Sequence, residues 1–414
     1  MKLVFLSDFH LGFSQPEREE EAFENAMSAM KTALMEKPDL IVFTGDLFHE
    51  KIPSHETLLE AFKILSLPRL QKFGAATIEK ETSEGRIAID CPGIPVIAIH
   101  GTHEQREKNS TNALELLEGA GFIVYLHAEK ACFERHREKI VFHGLGGVPE
   151  LKARDALKQW NPLPEPGALN VLLLHQSFKE FLPFEDEMIA TLSLSDLPKG
   201  FDLIVNGHLH WSNELQDNGI HLLMPGSTII TQMKNLESKK KKGFFVFETK
   251  GLKAKFVEIP GQREFFYKKI SLNTANAEEA REAARDAISE ILGEKKFQKM
   301  PLVKLKVGGS LAKGFSAEDI DFSIVEMSFL GKAIVSIDHS FKEESFSKKI
   351  KELSMLQQQK KSLGELGFEI LEKNLKETEF ENAFDARGVF ELLEKGENEK
   401  ALELIISSAR EKKQ

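Results

Sequence analysis

The stretch that most constrains this chain is Asp39-Leu40-Ile41-Val42-Phe43-Thr44-Gly45-Asp46-Leu47-Phe48-His49, a short apolar run that ends in a glycine and a carboxylate. Residues 40–43 are too few for a buried helix and read as a strand covered on both faces. Gly45 lets the backbone turn sharply, which presents Asp46 at the carboxyl edge of a sheet, where open α/β sheets bind ligands. Alone, Asp46 would be a turn or cap residue. The pattern recurs, however. Residues 2–7 end in Asp8-Phe9-His10, 96–99 in His100-Gly101-Thr102-His103-Glu104, 140–142 in His143-Gly144, 171–174 in His175-Gln176, and 203–205 in Asn206-Gly207-His208-Leu209-His210. Residues at i and i+2 of an extended segment project to the same side, so Asp8 with His10, and His208 with His210, can each converge on one point.

Between these strands lie helical patterns. Residues 17–37 carry Phe23, Met27, Met30 and Leu34 at helical spacing, and a second helix opens at Pro53-Ser54 with Leu58, Leu59, Phe62 and Leu65. A third runs from Ser110 as N-cap to Gly119 as C-cap, with Ala113, Leu114 and Leu117 on one face. Residues 74–92 read as a solvated loop or a hairpin, and 244–247 as the last strand before the composition changes near residue 260. Residues 263–270, 277–292, 302–307, 316–325 and 332–337 then predict a strand-helix-strand-helix-strand unit without a ligand cluster. Beyond residue 343 helix formers dominate. Gln357 to Lys361 reads as an exposed linker or helix, and 386–395 and 399–410 form a helical hairpin about Gly396.

At 414 residues, 41% hydrophobic and 29% charged, the chain has room for two or three domains. It shows no membrane span, and the apolar run within residues 1–12 is too short for a signal peptide or an anchor. Cys91 and Cys132 make no metal-ligand spacing and fit a reducing, cytoplasmic setting. The net charge of −10 argues against a nucleic-acid coat protein but not against an enzyme that meets nucleic acid through a local basic surface. Lys239 to Lys242 is either a solvated run or such a phosphate contact.

Gathered together, the strand-terminal residues are Asp8, His10, Asp46, His103, His175, His208 and His210. Imidazoles mixed with carboxylates suit manganese, iron or zinc rather than magnesium or calcium. The set is too large for one ion but right for two ions about 3.5 to 4 Å apart sharing a carboxylate, an arrangement suited to phosphoryl chemistry. Nothing beside Ser7 or Ser177 supplies the base and orienting acid of a nucleophilic triad. His55, His127, His136, His221 and His339 read as surface or packed histidines, and so do His100 and His143, although their place at strand ends leaves a supporting contact to the ligands as the alternative.

Asp8-x-His10, Gly45-Asp46, Gly101-x-His103-Glu104, His175 and Gly207-His208-x-His210, in that order, resemble the five motifs of the calcineurin-like metallophosphoesterases. Gly45 to His49 followed by Pro53-Ser54, and Pro225-Gly226-Ser227-Thr228, resemble the SbcD type, the nuclease subunit of the double-strand-break repair complex whose eukaryotic member is called meiotic recombination eleven. The resemblance implies an α/β fold, a two-sheet sandwich flanked by helices over residues 1–259, followed by a small α/β cap over 260–342 and a helical tail over 343–414. It implies two Mn²⁺ ions: Asp8, His10, Asp46 and His210 around the first, Asp46, His175 and His208 around the second, with Asp46 bridging. His103 is implied to stabilise the transition state or protonate the leaving oxygen, and His49 to position the phosphate. Since a divalent cation acidifies water, the protein needs an acid for the leaving group more than a base. Thr102 stands where the family has an asparagine that ligates the second ion, which leaves that ion a poorer ligand. Glu104 is either a partner of His103 or a solvated residue. The implied partners are DNA, a second copy of the chain through the helices carrying Leu58, Leu59, Phe62, Leu114 and Leu117, and an SMC-like ABC ATPase gripped by the C-terminal helices. The alternatives are a phosphoesterase acting on phosphoproteins or small phosphodiesters, and a degenerate scaffold subunit.

Overall fold

The structure is a computed structural model. It describes residues 1–342, 368, 371–372, 375 and 385–411, except 75, 84, 107–109, 183–191, 218, 294, 313–314 and 395. The stretch from Gln357 to Lys361 and the expected boundary at residue 343 lie outside the described residues. In chain order the elements begin β1 (Lys2–Leu6), α1 (Glu21–Met35), β2 (Leu40–Thr44), α2 (His55–Arg69), β3 (Ala76–Thr82), β4 (Gly85–Cys91), β5 (Val96–Ile99), α3 (Ala113–Gly119), β6 (Val124–Tyr125), β7 (Glu129–Arg135), β8 (Glu138–Gly144), α4 (Glu150–Trp160) and β9 (Leu169–His175). They continue with β10 (Leu203–Gly207), β11 (Asn213–Asp217), β12 (Ile220–Met224), α5 (Asn235–Ser238), β13 (Gly243–Glu248), β14 (Lys253–Glu258), β15 (Phe265–Ala275), α6 (Ala277–Leu292), β16 (Leu302–Leu311), α7 (Ser323–Ser328), β17 (Ile334–Lys342), α8 (Ala386–Glu394) and α9 (Asn398–Glu411).

Two sheets form the body: six strands in the order β14-β13-β1-β2-β5-β6, and eight in the order β11-β12-β10-β9-β8-β7-β3-β4. Strand alternation explains why they stack. Leu3, Phe5, Leu40, Val42, Ile97 and Ile99 point from the first sheet into one core shared with Ile140, Phe142, Val171, Leu173, Leu203 and Val205 of the second. The intervening residues Val4, Leu6, Ile41 and Phe43 pack instead against α1, α2 and α3. Leu172, Leu174 and Ile204 face α4. The result is a helix-sheet-sheet-helix sandwich whose central strands are covered on both faces, as the run at 40–43 predicts. β1, β2 and β5 are mutually parallel, as are β8, β9, β10 and β12, so within each sheet the carboxyl ends of these strands share one edge.

Sequence and structure part at several element ends. The helix expected from residue 17 starts at Glu21. Glu17 is left-handed, with φ 65°, and Arg18 is buried, donating to Glu21 Oε2 at 2.8 Å and to the Ile230 carbonyl at 2.6 Å. The third helix is capped by Asn112, not Ser110, with Asn112 Oδ1 accepting from the Glu115 amide at 2.9 Å. Of the two readings open for residues 74–92, the hairpin is the one formed, β3 pairing antiparallel with β4. The helix expected over 316–325 is a 3₁₀ turn, Ala317–Asp319, followed by the short α7.

The chain divides into two compact units, Met1–Lys268 with Glu290–Lys304 and Ser328–Ser336, and Lys269–Ser289 with Leu305–Met327 and Ile337–Gln414. β15, β16 and β17 form a three-stranded sheet. α8 and α9 pair as the predicted hairpin, burying Val389 and Ala401 and leaving Leu393, Leu402 and Ile406 exposed. Among the described residues, no helix is long and apolar enough to cross a membrane.

Candidate metal centre

The turns after β1 and β2 run side by side. The Asp8 amide donates to the Gly45 carbonyl at 3.0 Å, the His10 amide to the Asp46 carbonyl at 3.0 Å, and the Leu11 amide to the Leu47 carbonyl at 2.9 Å. Asp8, His10, Asp46 and His208 all adopt left-handed backbone, with φ of 51°, 50°, 49° and 76°. Such conformations cost non-glycine residues roughly 1 kcal/mol or more each and cluster at functional sites. Two glycines are required by close approach: a Cβ on Gly45 would lie 2.3 Å from His175 Nδ1, and one on Gly101 would lie 2.1 Å from Asp46 Oδ1.

Among the described residues, three groups of ligand-type side chains result: Asp8, His10 and His210; Asp46, His175 and His208; and His10, His49 and His103. In the first, His10 Nε2 and His210 Nε2 face each other at 3.0 Å, and Asp8 Oδ1 lies 4.0 and 3.8 Å from them. In the second, His175 Nε2 lies 3.2 Å from Asp46 Oδ2, while Nδ1 donates to the Thr44 carbonyl at 2.7 Å. Donors bound at about 2.1 Å to one ion, roughly at right angles, stand about 3 Å apart, which matches both close pairs. Asp8 Oδ1 and His175 Nε2 are also buried without a hydrogen-bond partner, although buried polar atoms are almost always satisfied. Both atoms face these clusters, so the donor set fits divalent cations.

The electrostatics agree. Burial holds His10 down at about 3, His208 at about 4 and His210 well below the usual histidine range, so each ring is neutral with a lone pair to offer. Burial pushes the Asp8 carboxyl up to about 7, opposed by His175. At His175 burial favours the neutral ring, but the Asp46 charge outweighs it and lifts the imidazole to about 10. Burial would raise Asp46 too, yet His175 and its neighbours hold it below the usual carboxylate range. The two carboxylates thus call for positive charge between them, which a proton on His175 or a cation supplies.

At the rim, His103 donates its amide to Asp46 Oδ1 at 2.9 Å, and its Nδ1 lies 2.6 Å from the His49 carbonyl. A carbonyl can only accept, so Nδ1 keeps its proton and Nε2 is the nitrogen left for exchange. The His49 and His103 rings stack at 4.9 Å. Thr102 is half-buried in the same turn, against the Gly147 backbone.

Several expectations change here. Glu104 is neither solvated nor a partner of His103. It is fully buried, accepts from the Phe48 amide at 2.8 Å and the Gly101 amide at 2.7 Å, and is pushed up to about 8 by burial and then by Asp46. It therefore ties the turns after β2 and β5 together. In the lysine run, 239–241 are exposed but Lys242 is buried. Leu114 and Leu117 lie wholly in the chain's own core, which leaves Leu59 and Leu116, 53% and 54% exposed, as the outward apolar residues of α2 and α3. Sequence reading passes over Thr231 and Glu237, since neither belongs to a motif and only the return of the chain from β12 brings them beside His210.

The family model for calcineurin-like phosphoesterases matches residues 1–212. The DNA double-strand break repair protein Mre11 of Sulfolobus acidocaldarius is 27% identical over 258 residues, covering 61% of this chain and 61% of that protein. The double-strand break repair protein MRE11 of Arabidopsis thaliana is 25% identical over 316 residues, 66% of this chain and 43% of the relative. Mre11 of Archaeoglobus fulgidus is 26% identical over 334 residues, 74% of this chain and 68% of that protein. The chain thus spans 61% and 43% of the first two relatives' own lengths.

Proposed function

Given that the chain belongs to the calcineurin-like phosphoesterase family, we propose that it is a manganese-dependent DNA phosphodiesterase, a nuclease of double-strand-break repair. The observation that carries this reading is the convergence of two ligand clusters with the His49–His103 pair at one rim. In this reading Asp8, His10, Asp46 and His210 would hold one Mn²⁺ and Asp46, His175 and His208 the other, Asp46 being common to both sets. When bound, the ions supply Lewis-acid charge to a phosphoryl group and acidify water. The chain's own residues do the rest. Thr44 fixes the His175 tautomer through Nδ1, leaving Nε2 as the ligating nitrogen. His103, anchored through Nδ1, carries on Nε2 the proton that the leaving oxygen takes. His49, stacked on it, orients the phosphate. Thr102, where the resembled family has an asparagine, would offer the second ion only a short neutral hydroxyl.

The resemblance to Mre11 proteins supports DNA as the substrate, and the apolar residues exposed on α8 and α9 support a docked partner, an SMC-like ABC ATPase. Leu59 and Leu116 support a homodimer through α2 and α3. The test is degradation of linear duplex DNA by the purified chain with Mn²⁺, beside a small aryl phosphodiester. Cleavage of both, lost with chelator, is expected. Cleavage of the small ester alone would replace the nuclease with a general phosphodiesterase, and cleavage of neither would leave a scaffold.

A further inference from the structure

Lys242 is the one lysine of its run that turns inward, immediately before β13. Its buried ammonium donates to the His210 carbonyl at 2.7 Å, to Ser227 Oγ at 2.8 Å and to Glu237 Oε1 at 2.8 Å. These acceptors come from three segments, the turn after β10, the turn after β12, and α5. All three are buried as well, and an ammonium has three protons, so it is fully satisfied. Burying an ion pair costs about as much as it returns, so this one is weak evidence for stability and points instead to a geometry that is kept. Thr231 acts on the same histidine from the other side. Its Oγ1 lies 2.9 Å from His210 Nδ1, while His210 Nε2 faces His10. A ring that offers a lone pair at Nε2 carries its proton at Nδ1, so it donates to Thr231.

We propose that Lys242 and Glu237, together with Thr231, are positioning residues for His210, the lysine fixing the backbone of its turn and the threonine fixing its ring. This rests on the reading of His210 as a ligand of the first centre. Calorimetric titration of the metal-stripped full chain with MnCl₂ tests it, comparing wild type with Lys242→Met, Glu237→Gln, Thr231→Val, Thr231→Ser and His210→Ala. Loss of an orienting partner typically weakens metal affinity about 10- to 100-fold. Lys242→Met, Glu237→Gln and Thr231→Val are therefore expected to lose at least about tenfold at the first centre and much less at the second, and Thr231→Ser, which keeps the hydroxyl, to bind like wild type. If Lys242→Met fails to fold, Glu237→Gln tests the same pair without changing shape. Equal losses at both centres, or equal losses in the valine and serine variants, would overturn the proposal. Should His210→Ala itself leave both affinities unchanged, the metal reading fails instead, which keeps the two failures distinct.

Discussion

Asp46→Asn separates the charge of the proposed bridge from its shape. Asparagine is among the residues most tolerant of left-handed backbone, so the φ of 49° survives. The amide oxygen still accepts from the His103 amide now 2.9 Å from Oδ1, and the new NH₂ meets His175 Nε2 where Oδ2 now lies at 3.2 Å. The change deletes one buried negative charge and no packing, so the metal-free protein should still melt in one transition, at a midpoint lowered by loss of the charge that faces His175. Metal binding should suffer far more. A unit charge about 4 Å from a dication, at an effective dielectric near 20, is worth roughly 8 kcal/mol, and even if three-quarters is returned as desolvation, about 2 kcal/mol remains. That corresponds to about 30-fold in the dissociation constant of each centre. Thermal melting should show an intact fold, calorimetry two weakened Mn²⁺ sites, and DNA degradation a loss of at least the same factor. Asparagine protein that binds two equivalents with wild-type affinity and still cuts DNA would refute the bridge. So would weakening at one centre alone.

His103→Leu should keep both metals in calorimetry yet lose about 10²- to 10⁴-fold in turnover, since it removes a proton donor and no ligand; metal content falling in step with activity would make His103 a ligand. Thr102→Asn should tighten the second centre and lower the manganese concentration needed for half-maximal cleavage, whereas an unchanged titration would mean that the turn packed against Gly147 has adapted to threonine. Leu59→Glu with Leu116→Glu should convert a dimer to a monomer in light scattering without shifting the melting temperature, because both residues are exposed; a wild-type monomer at micromolar concentration defeats the dimer.

The sequence exposes the strand-terminal aspartates and histidines because each follows an uninterrupted apolar run, and the parallel pairing of those runs brings their ends to shared edges. Its reading is poorest where burial depends on distant chain. Nothing local distinguishes Lys242 from Lys241, and only the arrival of the turn after β10 makes one a buried donor and the other a solvated cation. Glu104 resists for the same reason, since its partners are amides 3 and 56 residues away. The strands β7, β11 and β14 escape notice because Glu129–Arg135, Asn213–Asp217 and Lys253–Glu258 mix charge into their alternation, which at β11 and β14 goes with their place at a sheet edge.

The proposed ligands do not all ride on one sheet. Asp8, His10 and Asp46 follow strands of the six-stranded layer, whereas His175, His208 and His210 follow strands of the eight-stranded layer, so each ion would stitch the seam between the layers. Sliding one layer against the other would part both coordination spheres at once. On the proposed two-ion reading, the apolar residues between the layers would work as a gauge block, setting the spacing of the two ligand clusters from a place no substrate reaches. A volume change at Val42 or Leu173, each wholly buried in that shared core, would be read out at the rim as altered metal affinity before it appeared as altered fold.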